Sequence, residues 1–97
     1  MIRHTVVFRF AEGTPAERVR AIREALMGLP GRVPEVRSFS CGGDLGLREG
    51  NADFAIVAEF DDEDGWRAYQ DDPEHQRIIR ALIAPVTEQR LAAQITA

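Results

Sequence analysis

The residues best suited to chemistry in this chain are His4 and His75, its only two histidines. His4 lies in the alternating segment 2–10, and His75 follows the polar run Gln70-Asp71-Asp72-Pro73-Glu74. Imidazole is the side chain whose ordinary pKa lies nearest to neutral pH. If the fold brings the two rings to one pocket, they could move protons to and from a substrate.

The composition excludes several classes of function. All 12 basic residues are arginine, which rules out Schiff-base chemistry and the phosphate-binding lysine of P-loops. Cys41 is the only cysteine, so the chain cannot form an intramolecular disulfide or a cysteine zinc motif. The net charge of −4 and the scattered arginines argue against binding to nucleic acid.

The length of 97 residues predicts a single domain that spans residues 1–97. Arg3, His4 and Arg9 interrupt the N-terminal apolar residues, so we expect no signal peptide. No stretch approaches the ~20 apolar residues of a membrane span. The single cysteine fits a reducing compartment, and we expect a cytoplasmic protein that does not bind membranes.

The first half of the chain predicts a strand followed by a helix. Segment 2–10 alternates in polarity as a half-buried strand requires. Its expected buried side chains are His4, Val6, Phe8 and Phe10. Thr14 is predicted to cap a helix that begins at Pro15 and ends before Pro30-Gly31.

The second half predicts three strands and a broken helix. Strands are expected at 36–41, with Val36, Ser38 and Ser40 on one face, then at 54–60 and finally at 91–95. The acidic residues 61–64 are interpreted as a helix cap rather than a metal site, because carboxylates stabilise helix N-termini. The helix that follows is interrupted at Asp72-Pro73 and resumes through His75 to Pro85.

The element order β-α-β-β-α-β predicts an α+β fold of the ferredoxin-like type, an antiparallel sheet with two helices on one face. The opposite face still carries apolar side chains such as Val7, Ala55 and Val57. Such a face is too apolar to remain in water, so we expect a second copy of the chain to cover it in a homodimer.

Several motifs make the chain resemble the Dabb family of stress-responsive A/B barrel domains, within the dimeric α+β barrel superfamily. The motifs are Ile2-Arg3-His4-Thr5-Val6-Val7-Phe8-Arg9-Phe10, Leu29-Pro30-Gly31 followed by Pro34-Glu35-Val36, Gly42-Gly43-Asp44-Leu45, Asp53-Phe54-Ala55-Ile56-Val57-Ala58-Glu59-Phe60, Trp66-Arg67-Ala68-Tyr69-Gln70-Asp71-Asp72-Pro73-Glu74-His75 and Pro85-Val86. The resemblance implies two ferredoxin-like protomers whose sheets form a barrel, each with a pocket between its sheet and helices.

The resemblance also indicates where chemistry could occur, because a few family members cyclise linear polyketides, as olivetolic acid cyclase does. The functional histidines and tyrosine of those cyclases correspond to His4, Tyr69 and His75. Two positions depart from the cyclase pattern. Asp72 replaces the first histidine of the family's His-Pro-x-His motif, and Phe54 replaces a histidine at the start of strand three.

These residues predict acid/base chemistry on an apolar or aromatic carbonyl compound, with neither a metal nor an organic cofactor. His75 is the expected general base, Tyr69 the hydrogen-bond donor to the developing enolate oxygen, and His4 the group that orients or polarises the substrate. The expected apolar wall of the pocket consists of Val6, Phe8, Ile22, Leu26, Phe54, Ile56 and Ile79.

Other interpretations of the same residues stay open. His4, Tyr69 and His75 could be satisfied structural residues, and the protein a non-catalytic stress-response dimer that binds a hydrophobic ligand or a protein partner. Other dimeric α+β barrels bind haem or oxidise quinol-like substrates, which an absorbance scan would reveal. A metal site lacks a clear third ligand beside the two histidines.

Overall fold

The fold was analysed in a computed structural model that describes residues 1–97. Its strands are β1 (Ile2–Phe10), β2 (Val36–Gly43), β3 (Phe54–Phe60) and β4 (Thr87–Thr96), and its helices are α1 (Ala16–Met27), α2 (Glu63–Asp71) and α3 (Pro73–Ile78). The strands form one antiparallel sheet in the order β2-β3-β1-β4. The predicted ferredoxin-like β-α-β-β-α-β order is confirmed.

The two central strands, β1 and β3, alternate between a buried face and a half-covered face, as the sequence predicts. The buried face packs against the helices and supplies most of the aromatic core. His4 lies on this face, with only 2% of its surface exposed. In the sheet it is opposite Ala58 of β3 and Gln94 of β4.

Three predicted boundaries are wrong. Helix α1 begins at Ala16 and has Pro15 as its N-cap, while the Thr14 hydroxyl donates instead to the Ala11 carbonyl in the preceding turn. Strand β2 continues to Gly43, and β4 already begins at Thr87. Both extensions come from pairing with a central strand, which supplies backbone hydrogen bonds that local residue preferences do not reveal.

A register shift in β2 also corrects its predicted faces. Val36 is opposite Phe60, and the next paired residue, Ser38, is opposite Glu59. This irregularity turns Val36 towards the core, where it packs against the buried cluster, so it does not share a face with Ser38 and Ser40.

The acidic segment before α2 caps that helix, as predicted. The Asp62 carboxylate accepts a hydrogen bond from the Gly65 amide at 2.9 Å. The helix then ends at Asp71, and α3 starts at Pro73 with Asp72 as its N-cap. After α3 the chain widens into a π-helical turn at Ile79–Ile83 and a short 3₁₀ turn at Ala84–Val86.

The sheet face opposite the helices is apolar along its centre. Thr5, Val7, Ala55 and Val57 are half-buried there, whereas Leu91 on β4 is 60% exposed. Register places Leu91 and Ala93 beside Val7 and Thr5, so the exposed surface is continuous across β1 and β4. We call this surface the open face. No helix of the protein is both long and apolar enough to cross a membrane.

Candidate functional site

A cavity of about 280 Å³ lies between the helix-covered face of the sheet and the segment from α2 to β4. Its lining residues are His4, Val6, Phe8, Ile56, Tyr69, Gln70, His75, Ile79, Ile83, Ala84, Thr87 and Arg90. Strand β1, helix α2 and helix α3 thus bring His4, Tyr69 and His75 to one space. A cavity of this size suits one small organic molecule.

The apolar residues assigned to the pocket from sequence fall into two groups. Val6, Phe8, Ile56 and Ile79 line the cavity. Ile22, Leu26 and Phe54 do not line it and are fully enclosed in the core instead.

The position of α1 explains this division. Helix α1 packs closest to β2 at the far side of the sheet, so its buried residues Ile22 and Leu26 cannot reach the cavity. Phe54 packs against the rings of Phe8 and Phe10, with centroid distances of 6.4 and 6.0 Å. Alternation along a strand shows which face a residue occupies but not which part of that face remains open.

His4 is held by two hydrogen-bond donors. The Trp66 indole Nε1 donates to His4 Nδ1 at 3.3 Å, and the Gln94 side-chain amide lies 2.9 Å from the same atom. Because an indole N–H can only donate, Nδ1 must accept, and the ring proton is assigned to Nε2. His4 is therefore a neutral imidazole that can present an N–H to the cavity.

The pKa of His4 is lowered to about 4, mainly by burial and also by the positive charges of Arg90 and of protonated His75. At neutral pH the ring thus stays uncharged, as the hydrogen bond from Trp66 also requires. An uncharged imidazole in this setting can donate a hydrogen bond but is a very weak base.

His75 is placed by the start of α3, where its backbone amide donates to the Asp72 carboxylate. Its Nδ1 is buried without a hydrogen-bond partner. The backbone carbonyls of Tyr69 and Gln70 lie close enough to the ring to raise its pKa. With the proton on Nδ1, the lone pair is on Nε2, and His75 can accept a proton from a molecule in the cavity.

Burial is the largest influence on His75 and lowers its pKa, while the nearby carbonyls of Tyr69 and Gln70 and the Asp72 carboxylate oppose this effect. The charge of Arg90 lowers the pKa as well. The ring is therefore neutral at physiological pH and available as a base.

Tyr69 lies between the two histidines. Its ring stacks on His75 with centroids 4.2 Å apart and meets His4 edge-on at 6.1 Å. Packing against Phe60 at 5.3 Å fixes the ring from behind. Burial raises the pKa of Tyr69 above its usual value, so the phenol stays protonated and can donate a hydrogen bond to a ligand oxygen.

Several functional neighbours could not be identified from the sequence. Gln70, Ile83, Ala84, Thr87 and Arg90 complete the cavity wall, and Trp66 and Gln94 orient His4. Arg90 lies before the predicted start of β4 at residue 91. Gln94 lies within the predicted strand, but only the register of β4 against β1 places it beside His4. No cluster of three or more histidine, cysteine, aspartate or glutamate side chains suitable for a metal ion is present.

Comparison with known proteins identifies the family. The family model described as the stress responsive A/B barrel domain, Dabb, matches residues 2–97. An uncharacterised protein of Streptomyces coelicolor is 33% identical over 78 residues, which cover 78% of this chain and 80% of that protein.

Solved structures share the fold over nearly the whole chain. A dimeric ferredoxin-like protein of unknown function from Thermobifida fusca has a TM-score of 0.91 and 44% identity, covering 99% of this chain and 90% of its own. The hydroxynitrile lyase of Passiflora edulis has a TM-score of 0.81 with 18% identity, covering 97% of this chain and 90% of its own, a likeness of fold alone. The family match and the 33% identical relative together show that the chain belongs to the stress-responsive A/B barrel domain family.

Proposed function

We propose that the protein is a cofactor-independent acid/base enzyme of the cyclase or lyase type, which removes a proton next to the carbonyl group of a small apolar or aromatic compound. His75 Nε2 takes the proton from the carbon. The electron pair of the broken C–H bond forms a C=C bond, and the carbonyl electrons move onto oxygen. Tyr69 and His4 donate hydrogen bonds to that oxygen as its negative charge develops.

The observation that carries this proposal is the convergence of two histidines with lowered pKa values and a tyrosine with a raised pKa on one cavity. Trp66 leaves His4 a donor at Nε2. We assign the proton of His75 to Nδ1, which makes Nε2 the acceptor. Enolisation needs one base and at least one donor for the enolate oxygen. His75 would be the base and His4 one donor, and the protonated phenol of Tyr69 would be a second donor.

The apolar remainder of the cavity supports a small hydrophobic or aromatic substrate. Val6, Phe8, Ile56, Ile79 and Ile83 surround the polar groups. Their exclusion of water would strengthen the hydrogen bonds to the enolate oxygen, because electrostatic interactions weaken as the surrounding dielectric rises.

We further infer that the protein acts as a homodimer in the cytoplasm. The open face exposes Leu91 and Ile95 by 60% and 54%, more than expected for a face that remains in water. The Thermobifida fusca relative, 44% identical, is described as dimeric. A two-fold pairing of open faces would bury these side chains and leave the cavity on the helix side of each sheet.

Solvent deuterium exchange tests the catalytic proposal without knowledge of the natural substrate. Phenylacetone in D₂O, followed by proton NMR, reports removal of the benzylic proton next to its carbonyl. We expect exchange above the buffer rate with the wild-type protein and a roughly 100-fold or greater loss in His75→Gln. Arg80→Gln, an exposed change outside the cavity, is the matched control and should retain the wild-type rate.

A non-catalytic binding module is the second candidate, and one observation favours it. Both hydrogen bonds of His4 Nδ1 are made within the protein, which is also what a purely structural histidine would show. In that case phenylacetone would shift NMR signals of cavity residues without any catalysed exchange. The binding would then largely survive His75→Gln, because the apolar wall would carry it.

A further inference from the structure

Arg90 is the one charged side chain on the cavity wall. It lies on β4 directly opposite Phe8, on the face of the sheet that the helices cover. No aspartate or glutamate lines the cavity. The pocket therefore combines an apolar body with a single positive group.

Most other arginines of the chain are already engaged. Arg3, Arg32, Arg37, Arg67 and Arg77 form ion pairs, and Arg9, Arg18 and Arg23 donate to backbone carbonyls. Arg20, Arg48 and Arg80 are exposed and lie outside the cavity wall. Arg90 alone is both free of a protein partner and directed to the cavity.

The charge of Arg90 also reaches the reactive groups. It lowers the pKa values of His4, Tyr69 and His75, although burial has the larger effect on each of the three. Arg90 itself is exposed at the mouth of the cavity, whereas the three groups that its charge reaches are buried. An anion brought next to Arg90 would therefore be felt by His75 as well.

We infer that the natural ligand of the cavity is an anion, a small monocarboxylate with an apolar or aromatic body, whose carboxylate pairs with the Arg90 guanidinium. This inference specifies the ligand class of the site under Proposed function and rests on that proposed site. A guanidinium can bind a carboxylate through two parallel N–H donors, which fixes the orientation of the molecule as well as its charge. The apolar body would then extend towards Phe8, Ile56 and Ile79.

Matched probes separate charge from shape. Phenylacetate and phenylacetamide have nearly the same size, but only the first is an anion at pH 7. We expect wild-type protein to bind phenylacetate about tenfold or more tightly than the amide by NMR titration. Arg90→Gln should abolish this preference, Arg90→Lys should retain part of it, and Arg80→Gln should leave it unchanged.

A second readout excludes a merely structural role for Arg90. Phenylacetate should raise the pKa of His75 in the wild type, because it neutralises the Arg90 charge, and should have a smaller effect in Arg90→Gln. Equal binding of the two probes, binding of neither, or an acid preference that survives Arg90→Gln would each overturn the inference.

These outcomes are distinguishable from failure of the proposed enzyme. An Arg90-dependent preference for phenylacetate without any catalysed exchange of phenylacetone would support the ligand class and reject the acid/base chemistry. Catalysed exchange that needs His75, together with no preference for the anion, would support the acid/base chemistry and reject the ligand class.

Discussion

At the scale of single residues, the decisive property is that His75 is neutral. Burial lowers its pKa more strongly than the Asp72 carboxylate and the α2 carbonyls raise it. The proposed base is therefore in its proton-accepting form at neutral pH. A solvent-exposed histidine with the ordinary pKa near 6.5 would be partly protonated under the same conditions.

The pH profile of phenylacetone exchange follows from these protonation states. Because the pKa of His75 is lowered, the exchange rate should fall on the acid side with a midpoint below the ordinary histidine value of about 6.5, and should level off at higher pH. Tyr69, whose pKa is raised, should add no alkaline decline below pH 9. A rate that still rises between pH 7 and 8 would contradict a neutral His75.

Substitution of Tyr69 by phenylalanine tests the donor to the enolate oxygen. The ring packing against Phe60 and His75 is retained, so the protein should fold, while the exchange rate should fall roughly 100-fold through loss of the hydroxyl. Thermal unfolding of both proteins checks the fold. A wild-type rate in Tyr69→Phe would remove this residue from the mechanism.

His4 links the site to the acid stability of the protein. Its pKa is about 4 in the folded state and near 6.5 when unfolded, so the unfolded state binds more protons between these values. The contribution of His4 to the free energy of unfolding should therefore be complete above pH 6.5. It should fall by roughly 3 kcal/mol as the pH drops to 4.

Urea unfolding at pH 7, 5.5 and 4.5 measures this dependence. His4→Gln removes one of the two titrating imidazoles, so the free energy of unfolding should fall clearly less over this pH range. Some loss should remain, because the pKa of His75 is lowered in the folded state as well. An unchanged slope would mean that His4 is not held neutral by the folded protein.

The sequence predicted which residues meet at the site better than how they are held. His4, Tyr69 and His75 could be recognised from residue type and motif, and the structure brings all three to one cavity. The donors to His4 lie 62 and 90 positions away in the chain, at Trp66 and Gln94. Such long-range contacts depend on sheet register and helix placement, which local patterns do not contain.

At the scale of elements, the break between α2 and α3 positions His75, the proposed base. Asp72 accepts a hydrogen bond from the His75 amide at 2.9 Å and forms an ion pair with Arg32 at 3.1 Å. Proline at the first position of α3 fits this cap, because its missing N–H would have no partner there. Asp72, which stands where the motif of the resembling family has a histidine, thus has a clear structural role in this chain.

Substitutions of Asp72 separate its hydrogen bond to the His75 amide from its ion pair with Arg32. Asp72→Asn can still accept from the His75 amide, whereas Asp72→Ala cannot. We expect Asp72→Ala to lower the free energy of unfolding by about 1 kcal/mol and to reduce the exchange rate, because the start of α3 loosens. Asp72→Asn should lose less stability and less of the exchange rate than Asp72→Ala. Equal losses in the two variants would mean that the effect comes from the ion pair with Arg32.

The elements also show where sequence patterns are insufficient. The break at Asp72-Pro73 and the cap at Asp62 follow from proline geometry and side-chain capping, so both were predicted. The π-helical turn at Ile79–Ile83 and the register shift in β2 were not predicted. Apolar periodicity cannot distinguish an α-helical turn from a π turn of five residues, yet this turn supplies Ile79 and Ile83 to the cavity.

At the scale of the whole molecule, the two faces of the sheet have separate roles. The helix-covered face contains the cavity, and the open face presents apolar side chains on β1, β3 and β4. The apolar character of the open face could be recognised from the alternation of β1 and β3. The contribution of Leu91 and Ile95 also required the register of β4.

A charge on the open face tests the proposed dimer. Leu91→Asp changes a side chain that is 60% exposed in one protomer, so folding of that protomer should be unaffected. Light scattering after gel filtration should find a dimer for the wild type and a monomer for Leu91→Asp. Ala81→Asp, an exposed change on the helix side, is the control and should stay dimeric, and a monomeric wild type would contradict the proposal.

The central claim is that one cavity holds two neutral histidines in opposite tautomers. Long-range ¹⁵N–¹H NMR of the imidazole rings at pH 7 tests it directly, because the nitrogen shifts distinguish N–H from a bare nitrogen. We expect the proton of His4 on Nε2 and that of His75 on Nδ1, with both rings uncharged. A charged His75 at pH 7, or a proton on its Nε2, would contradict its assignment as the base.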